Sequence, residues 1–297
     1  IPPTSMQAAL SIDLESYWHA ELLRRHVDRS RADDRVLPAT LPLLDLLAER
    51  EVRATFFIVG ELIEQYPALI RRIAREGHEI ACHTYTHRPL WELSERDFGI
   101  ELERFREALG RVLPGVTPRG FRAPTFSLVP TTAWALGVLA RNGYAYDSSV
   151  FPIRTPLYGV PGCPARPYRP APNLIDHDPA APIWEWPMTV WRIGPIALPV
   201  CGGFYLRVLP MPLILLGLKR AARRSPVVVY LHPWELDDQT PRLPLSPRDR
   251  FITYYHIGAE MRRRLTLLLN RFDFRPLGEH LPLNQPSAAR GRLSPSL

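Results

Sequence analysis

Short apolar runs that stop at a charged or imidazole side chain recur along this chain, with amphipathic stretches between them. The first, Ala8 to Ile12, ends at Asp13, the pattern of a buried strand that delivers an acid at its C-terminal end. Glu15 stands two residues on, so along an extended strand it points to the same side as Asp13. Leu37–Arg50 carries Leu at helical spacing, and Arg53–Val59 reads as a second strand. Glu61–Glu76 is predicted as one helix closed by Gly77 at the C′ position. His78–His83 is predicted as a third strand, with His83 and His87 on a first helical turn beyond it. Four residues apart on such a turn, the two imidazoles share a face and can share a metal ion, given a third protein ligand and an open position.

A helix is predicted from Ser94, as N-cap, to about Arg111, with Asp97 in its first turn. Gly120–Pro124 reads as a short strand ending in an X-Pro turn. Thr131–Asn142 reads as a helix capped by Gly143, and Tyr144–Asp147 as a strand end. A proline-rich middle follows, then predicted strands Ile183–Val190 and Phe204–Val208, read as a hairpin across Gly194-Pro195. Pro212–Arg224 is predicted as a helix with proline near N1. Pro226–His232 is an apolar strand that again ends in a functional side chain. Arg248–Phe272 reads as one long amphipathic helix, and a last strand starts at Phe274. The expectation is a single catalytic domain over 6–280 and a disordered tail over 281–297.

Strands alternating with helices imply a parallel sheet with helices outside. Asp13, Glu15, His83, Arg122, Asp147 and His232 all fall at predicted strand C-terminal ends, which share one rim in a barrel-like α/β fold. That convergence points to an enzyme. Composition adds limits to this picture. The 297 residues carry 37 basic against 30 acidic side chains, a net charge of +7. This suits attraction to anionic polymers or membrane surfaces, but no nucleic-acid motif accompanies it. Three widely spaced cysteines without a CxxC argue against a disulfide framework and for a reducing compartment. No basic-then-apolar leader pattern is seen, and no apolar run approaches the ~18–20 residues that span a bilayer. The expectation is a cytoplasmic protein, with peripheral contact to the inner membrane as an option.

The segments SIDLESYW (11–18), RATFFIVGELIEQYP (53–67), GHEIACHTYTHRPL (77–90), GFRAPTFSL (120–128), GYAYDSSVFP (143–152) and YLHPWELD (230–237) together carry a family resemblance. They resemble the polysaccharide deacetylases of the NodB-homology type, carbohydrate esterase family 4, over roughly Leu10 to Phe274. With CGGFYLR (201–207), the last two look most like the subgroup associated with bacterial exopolysaccharide loci. The resemblance implies a deformed (β/α) barrel with about seven parallel strands. It implies that Asp13 is the general base and that His83 and His87 bind metal. The family places a metal-binding Asp directly after the base, where this chain has Leu14; Glu15 is the natural replacement. Arg122 matches the arginine that holds the base carboxylate, the Thr125 backbone N–H the oxyanion donor, and His232 the general acid. Asp147, or an acid within Trp234–Asp237, would orient His232. The sequence leaves that choice open.

The implied cofactor is a divalent metal, zinc first, with cobalt, nickel and manganese compatible with two imidazoles and a carboxylate. The implied reaction is removal of acetyl groups from N-acetylhexosamine units of a glycan or its lipid-linked precursor. Tyr17, Trp18, Trp184, Trp186, Tyr205 and Trp234 are candidate sugar-stacking walls, Trp18, Tyr205 and Trp234 foremost, with core packing as their plain alternative. Two other functions compete: an amide hydrolase of the same fold acting on a cyclic ureide or imide, and a non-catalytic glycan-binding or assembly protein. Nucleic acid is not an expected partner.

Overall fold

The computed structural model describes residues 6–29 and 32–280, so the tail expected over 281–297 lies outside the described residues. The organising element is the strand β1 (Gln7–Leu14). Side chains along a strand alternate in direction. Ala8, Leu10, Ile12 and Leu14 therefore pack outward into one apolar core, and Ala9 packs inward into another. Ser11 and Asp13 share the inward parity.

The other parallel strands are β2 (Thr55–Ile58), β3 (Glu79–Cys82), β4 (Gly120–Phe121), β5 (Tyr146–Asp147), β6 (Trp184–Glu185), β9 (Val227–Leu231) and β10 (Asp273–Arg275). β9 pairs with Ala8–Ile12 of β1, while β10 and β2 divide β1 between Gln7–Ala9 and Ser11–Leu14. From β2 the sheet runs through β3, β4 and β5 to β6. Seven parallel strands, β9-β1-β2-β3-β4-β5-β6, thus curl into a half-barrel, with β10 beneath β2. The seam between β6 and β9 is filled by irregular chain. Thr189 Oγ1 accepts from Val228 N at 2.7 Å, and Cys201 O accepts from Tyr230 N at 2.7 Å. At Gly202 (φ 147°) a Cβ would lie 1.8 Å from Tyr230 O, so only glycine lets these two backbones approach.

Inside the curl, Phe57, Ala81, Tyr146, Trp186, Val228 and Tyr230 form the inner core. Outside, the sheet is covered by α1 (Val36–Glu49), α2 (Gly60–Gln65), α3 (Pro67–Arg75), α4 (Glu95–Val112), α5 (Ala135–Arg141), α6 (Gly203–Val208), α7 (Met211–Ala222) and α9 (Ala259–Leu269), while α8 (Pro247–Tyr254) packs through Tyr254 against Tyr17 and Trp234. α10 (Leu277–His280) follows β10. Ser94 caps α4 by accepting from Asp97 N at 3.1 Å.

Several expected elements differ. The helix expected over 61–76 is two, because Pro67 forces Tyr66 out of the helical region (φ −129°, ψ 56°). The helix expected over 248–272 is broken at His256 (φ 54°) and Gly258 (φ 73°). The hairpin does turn at Gly194-Pro195, but its arms are β7 (Val190–Ile193) and β8 (Ile196–Pro199). The strand expected over 204–208 is helix α6. Its aromatic composition suggested a strand, but Gly202 and Gly203 turn the chain and Leu206 seats it as a helix against the core. Cys82, Cys163 and Cys201 are buried free thiols. Among the described residues no helix is long and apolar enough to cross a membrane.

Candidate metal and catalytic site

β1 delivers Asp13 and Glu15 to the inner face at its C-terminal end, and both are buried (2% and 4% exposed). β3 ends at Cys82, and His83 follows with its N–H bonded to Ile58 O at 3.0 Å. The segment from His83 to His87 is a loop rather than the expected helical turn, with left-handed backbone at Thr84 (φ 57°) and His87 (φ 60°). Glu101 of α4 replaces helical hydrogen bonding there. One of its oxygens accepts from Tyr85 N at 2.8 Å and Thr86 N at 2.7 Å, and the other from Thr86 Oγ1 at 2.9 Å. The imidazole rings end up 4.9 Å apart, edge to face. Ligand atoms of Glu15, His83 and His87 all lie within 4.8 Å of one another, and His87 Nε2 is 2.6 Å from Glu15 Oε2.

Three neighbours orient this cluster. His83 Nδ1 is 2.7 Å from Arg122 O, which leaves its other nitrogen for a ligand. The Trp234 indole donates to Glu15 Oε1 at 3.1 Å. His19 stacks on His87 with ring centres 5.1 Å apart, its Nδ1 accepting from Ser16 N at 3.1 Å. Burial pushes the His83 imidazole down to about 4, against the pull of Asp13, so it is neutral and able to ligate at neutral pH. Burial would raise the Glu15 carboxyl, but His87, His232 and His83 outweigh it and hold the group well below the usual range. Two imidazoles and a carboxylate, buried and converging, fit a divalent cation.

Beside the cluster is an ion pair with no solvent exposure on the arginine side. Arg122 Nη1 donates to Asp13 Oδ1 at 2.6 Å and to Ser11 Oγ at 2.9 Å. The guanidinium also donates to Ser148 O at 2.9 Å and Ser148 Oγ at 3.0 Å, and it lies 4.1 Å over the Phe57 ring. Opposite, His232 at the end of β9 places Nε2 3.9 Å from Asp13 Oδ2 and 3.8 Å from Glu15 Oε1. Its Nδ1 is 3.1 Å from Glu235 Oε2, and Glu235 Oε1 accepts from Arg207 Nε at 2.8 Å. Burial disfavours the charged ring, yet Glu15, Glu235 and Asp13 together raise His232 to about 9. Glu235 is depressed to about 2: burial opposes this, and Arg207 and His232 prevail. The acid that orients His232 is therefore Glu235. Asp147 instead accepts from Ser149 N at 3.0 Å and Ser149 Oγ at 2.6 Å, and Asp237 pairs with Arg35 at 2.8 Å.

A cavity of ≈ 720 Å³ opens over these groups. Asp13, Glu15, His83, His87, Thr125, Tyr205, His232 and Trp234 line it. Thr125 (φ 58°) and Phe126 (φ 51°) are left-handed, so four β-branched, imidazole or aromatic residues in that costly region crowd this rim. Other walls are Thr155–Tyr158, Gly203–Tyr205 and, from α8, Arg248, Asp249, Ile252 and Thr253. Trp18 does not line the cavity; it packs edge-on against Tyr17, 5.1 Å between rings. Trp186 is inner core, and Trp184 carries Arg169 over its ring at 5.1 Å. Sequence reasoning did not single out Ser11, Glu101, Ser148 or Arg207. Ser11 shares the parity of Asp13, the one signal that could have found it.

Fold and site define a class: a curled parallel-sheet α/β protein whose strand ends gather two histidines and a carboxylate beside an acid–arginine pair and a third histidine. Residues 32–146 match the polysaccharide deacetylase family. Residues 148–281 match a family described only as a domain of unknown function. A peptidoglycan-N-acetylglucosamine deacetylase of Bacillus cereus is 40% identical over 88 residues, 30% of this chain and 32% of that protein. A chitooligosaccharide deacetylase of Bradyrhizobium sp. is 39% identical over 114 residues, 38% of this chain and 49% of that protein. The chain thus spans about a third to a half of the length of these curated relatives. A crystal structure from Mycobacterium smegmatis described as a polysaccharide deacetylase superposes with a TM-score of 0.55 at 22% identity, covering 93% of this chain and 88% of that one. Puue allantoinase gives the same TM-score, 0.55, at 13% identity and the same coverage of 93% and 88%. Both likenesses concern the fold alone.

Proposed function

We propose that this protein is a metal-dependent N-deacetylase acting on N-acetylhexosamine units of a bacterial polysaccharide or its lipid-linked precursor. The observation that carries the reading is the convergence of Glu15, His83 and His87 within 4.8 Å, flanked by Asp13–Arg122 on one side and His232–Glu235 on the other. Glu15, His83 and His87 would hold a divalent ion, zinc first, which supplies Lewis acidity toward the acetyl group and a more acidic water. Asp13 takes the proton of the water that adds to the acetyl carbon. Arg122 pairs with that carboxylate and aims it. The Thr125 backbone N–H faces the developing oxyanion, a donor of a kind worth roughly 3–4 kcal/mol. His232, held by Glu235, gives its proton to the nitrogen as the C–N bond breaks, leaving acetate and a free amino sugar. Tyr205 and Trp234 form walls against which sugar rings stack.

The names of the curated relatives support an N-acetylated glycan as substrate. CGGFYLR and YLHPWELD support the exopolysaccharide setting. Three buried free thiols support a reducing, cytoplasmic location. The test is a substrate panel on purified, zinc-supplemented protein. Acetate is expected from N-acetylated chitooligosaccharides and none of the corresponding hydrolysis from allantoin, with Asp13→Asn slower by roughly 10²–10⁴-fold. Turnover of allantoin with no acetate release would transfer the site to the cyclic-amide reading.

A further inference from the structure

From Trp186 to Trp234 the chain contains no Asp or Glu, yet it contains Arg192, Arg207, Lys219, Arg220, Arg223 and Arg224. Two surface elements come from this stretch. In the β7–β8 hairpin, Trp191 pairs with Leu198 and Ile193 with Ile196, all four on one face of the ribbon. Trp191 packs on α7, where a Cβ added to Gly217 would lie 3.3 Å from it. Ile193 and Ile196 continue this apolar face to the hairpin tip and stand 46% and 63% exposed. No other large hydrophobic among the described residues is as exposed as Ile196. On α7, Leu216 (42% exposed), Lys219, Arg220 and Arg223 follow at i, i+3, i+4 and i+7, so they form one outward stripe. Among the described residues none of these cations has an ion-pair partner.

We infer that the β7–β8 hairpin tip and the outward stripe of α7 form a docking surface for an anionic phospholipid bilayer. An isoleucine pair on a short hairpin enters the headgroup and acyl boundary, while unpaired Lys and Arg beside it meet lipid phosphates. Charge selects the partner, because a neutral apolar partner would leave three cations idle and an acid-free stretch unexplained.

The experiment is co-sedimentation of the full chain with phosphatidylcholine vesicles, with and without phosphatidylglycerol. The protein is expected to sediment with the phosphatidylglycerol vesicles, less so as salt rises, and poorly with phosphatidylcholine alone. Each cation near the surface contributes roughly a fivefold in partitioning, so the triple variant Lys219→Glu, Arg220→Glu, Arg223→Glu should lose at least a hundredfold. The pair Ile193→Ser and Ile196→Ser should weaken binding by about tenfold or more. Because all five positions face solvent, both variants should melt with the parent protein. No sedimentation with phosphatidylglycerol vesicles overturns the inference. So does binding unaffected by the serine pair, or equal retention on double-stranded DNA, since either reduces the surface to a general cation patch.

Discussion

Glu15 shows how much one residue's parity can decide. Asp13 and Glu15 face the cavity because they sit two apart at the end of a strand, whereas Leu14 between them packs in the outer core with no exposure. Two carboxylates on one side of β1 therefore need a residue between them, and Asp-Leu-Glu supplies it. Sequence could read this spacing directly. It could not choose the partner of His232, because three acids lay within reach of the argument and only packing separates them. Glu235 wins because a turn of 3₁₀ helix starting at Pro233 folds it back onto the imidazole, while Arg207 holds its far oxygen. Glu235→Gln removes the anion that favours the charged ring, so the His232 pKa falls from about 9. The proton donor is then lost at lower pH, and the alkaline limb of the rate profile should move down with kcat/KM reduced about tenfold to a hundredfold. An alkaline limb that stays in place would show that Glu235 does not tune the ring.

At the scale of elements, the strands were legible because apolar runs ended at chemistry-bearing residues. The loop that carries the His pair was not. Spacing of four suggested a helical turn, but the backbone there is left-handed at two non-glycine residues and is held by Glu101 from a helix later in the chain. Long-range support of that kind leaves no local pattern. Glu101→Ala strips three hydrogen bonds from Tyr85 and Thr86 and should lower zinc affinity roughly 10–100-fold by calorimetric titration, as loss of other outer supports does. Unchanged affinity would mean the loop is held by its remaining contacts, Gly60 N to Thr84 O and Glu61 N to Tyr85 O. The helix α6 was misread for a related reason: its local composition favours a strand, and its packing does not.

The main sheet draws its strands from two stretches that match different families and from β1, which precedes both. β1 and β9 are neighbours although Ala8 and Val227 are far apart in the chain, and β9 brings His232 to the acids of β1. The part of unknown function thus supplies His232, Glu235, Arg207 and Tyr205 to the rim.

The stretches meet where β5 pairs with β6, setting Asp147 beside Glu185 with neither side chain exposed. Burial raises both carboxyls, Glu185 well above its ordinary value, with Asp147 adding to that rise. The folded state therefore holds a proton that the unfolded chain loses above roughly pH 4. Stability from this pair is full below that pH and is lost as pH rises toward the folded pKa. Glu185→Gln keeps a donor toward Asp147 without needing the proton. Its melting temperature should exceed that of the parent at neutral and alkaline pH, and the gap should close near pH 4. A gap independent of pH would show that the pair does not share a proton.

The proposed function stands on Glu15 completing a three-ligand cation site with His83 and His87. Anomalous diffraction at the zinc edge from zinc-soaked crystals measures this directly. The expected result is one strong peak about 2.0–2.2 Å from a carboxylate oxygen of Glu15 and from a ring nitrogen of each histidine. A peak bound by the two histidines without Glu15, or no peak in this cluster, would contradict it.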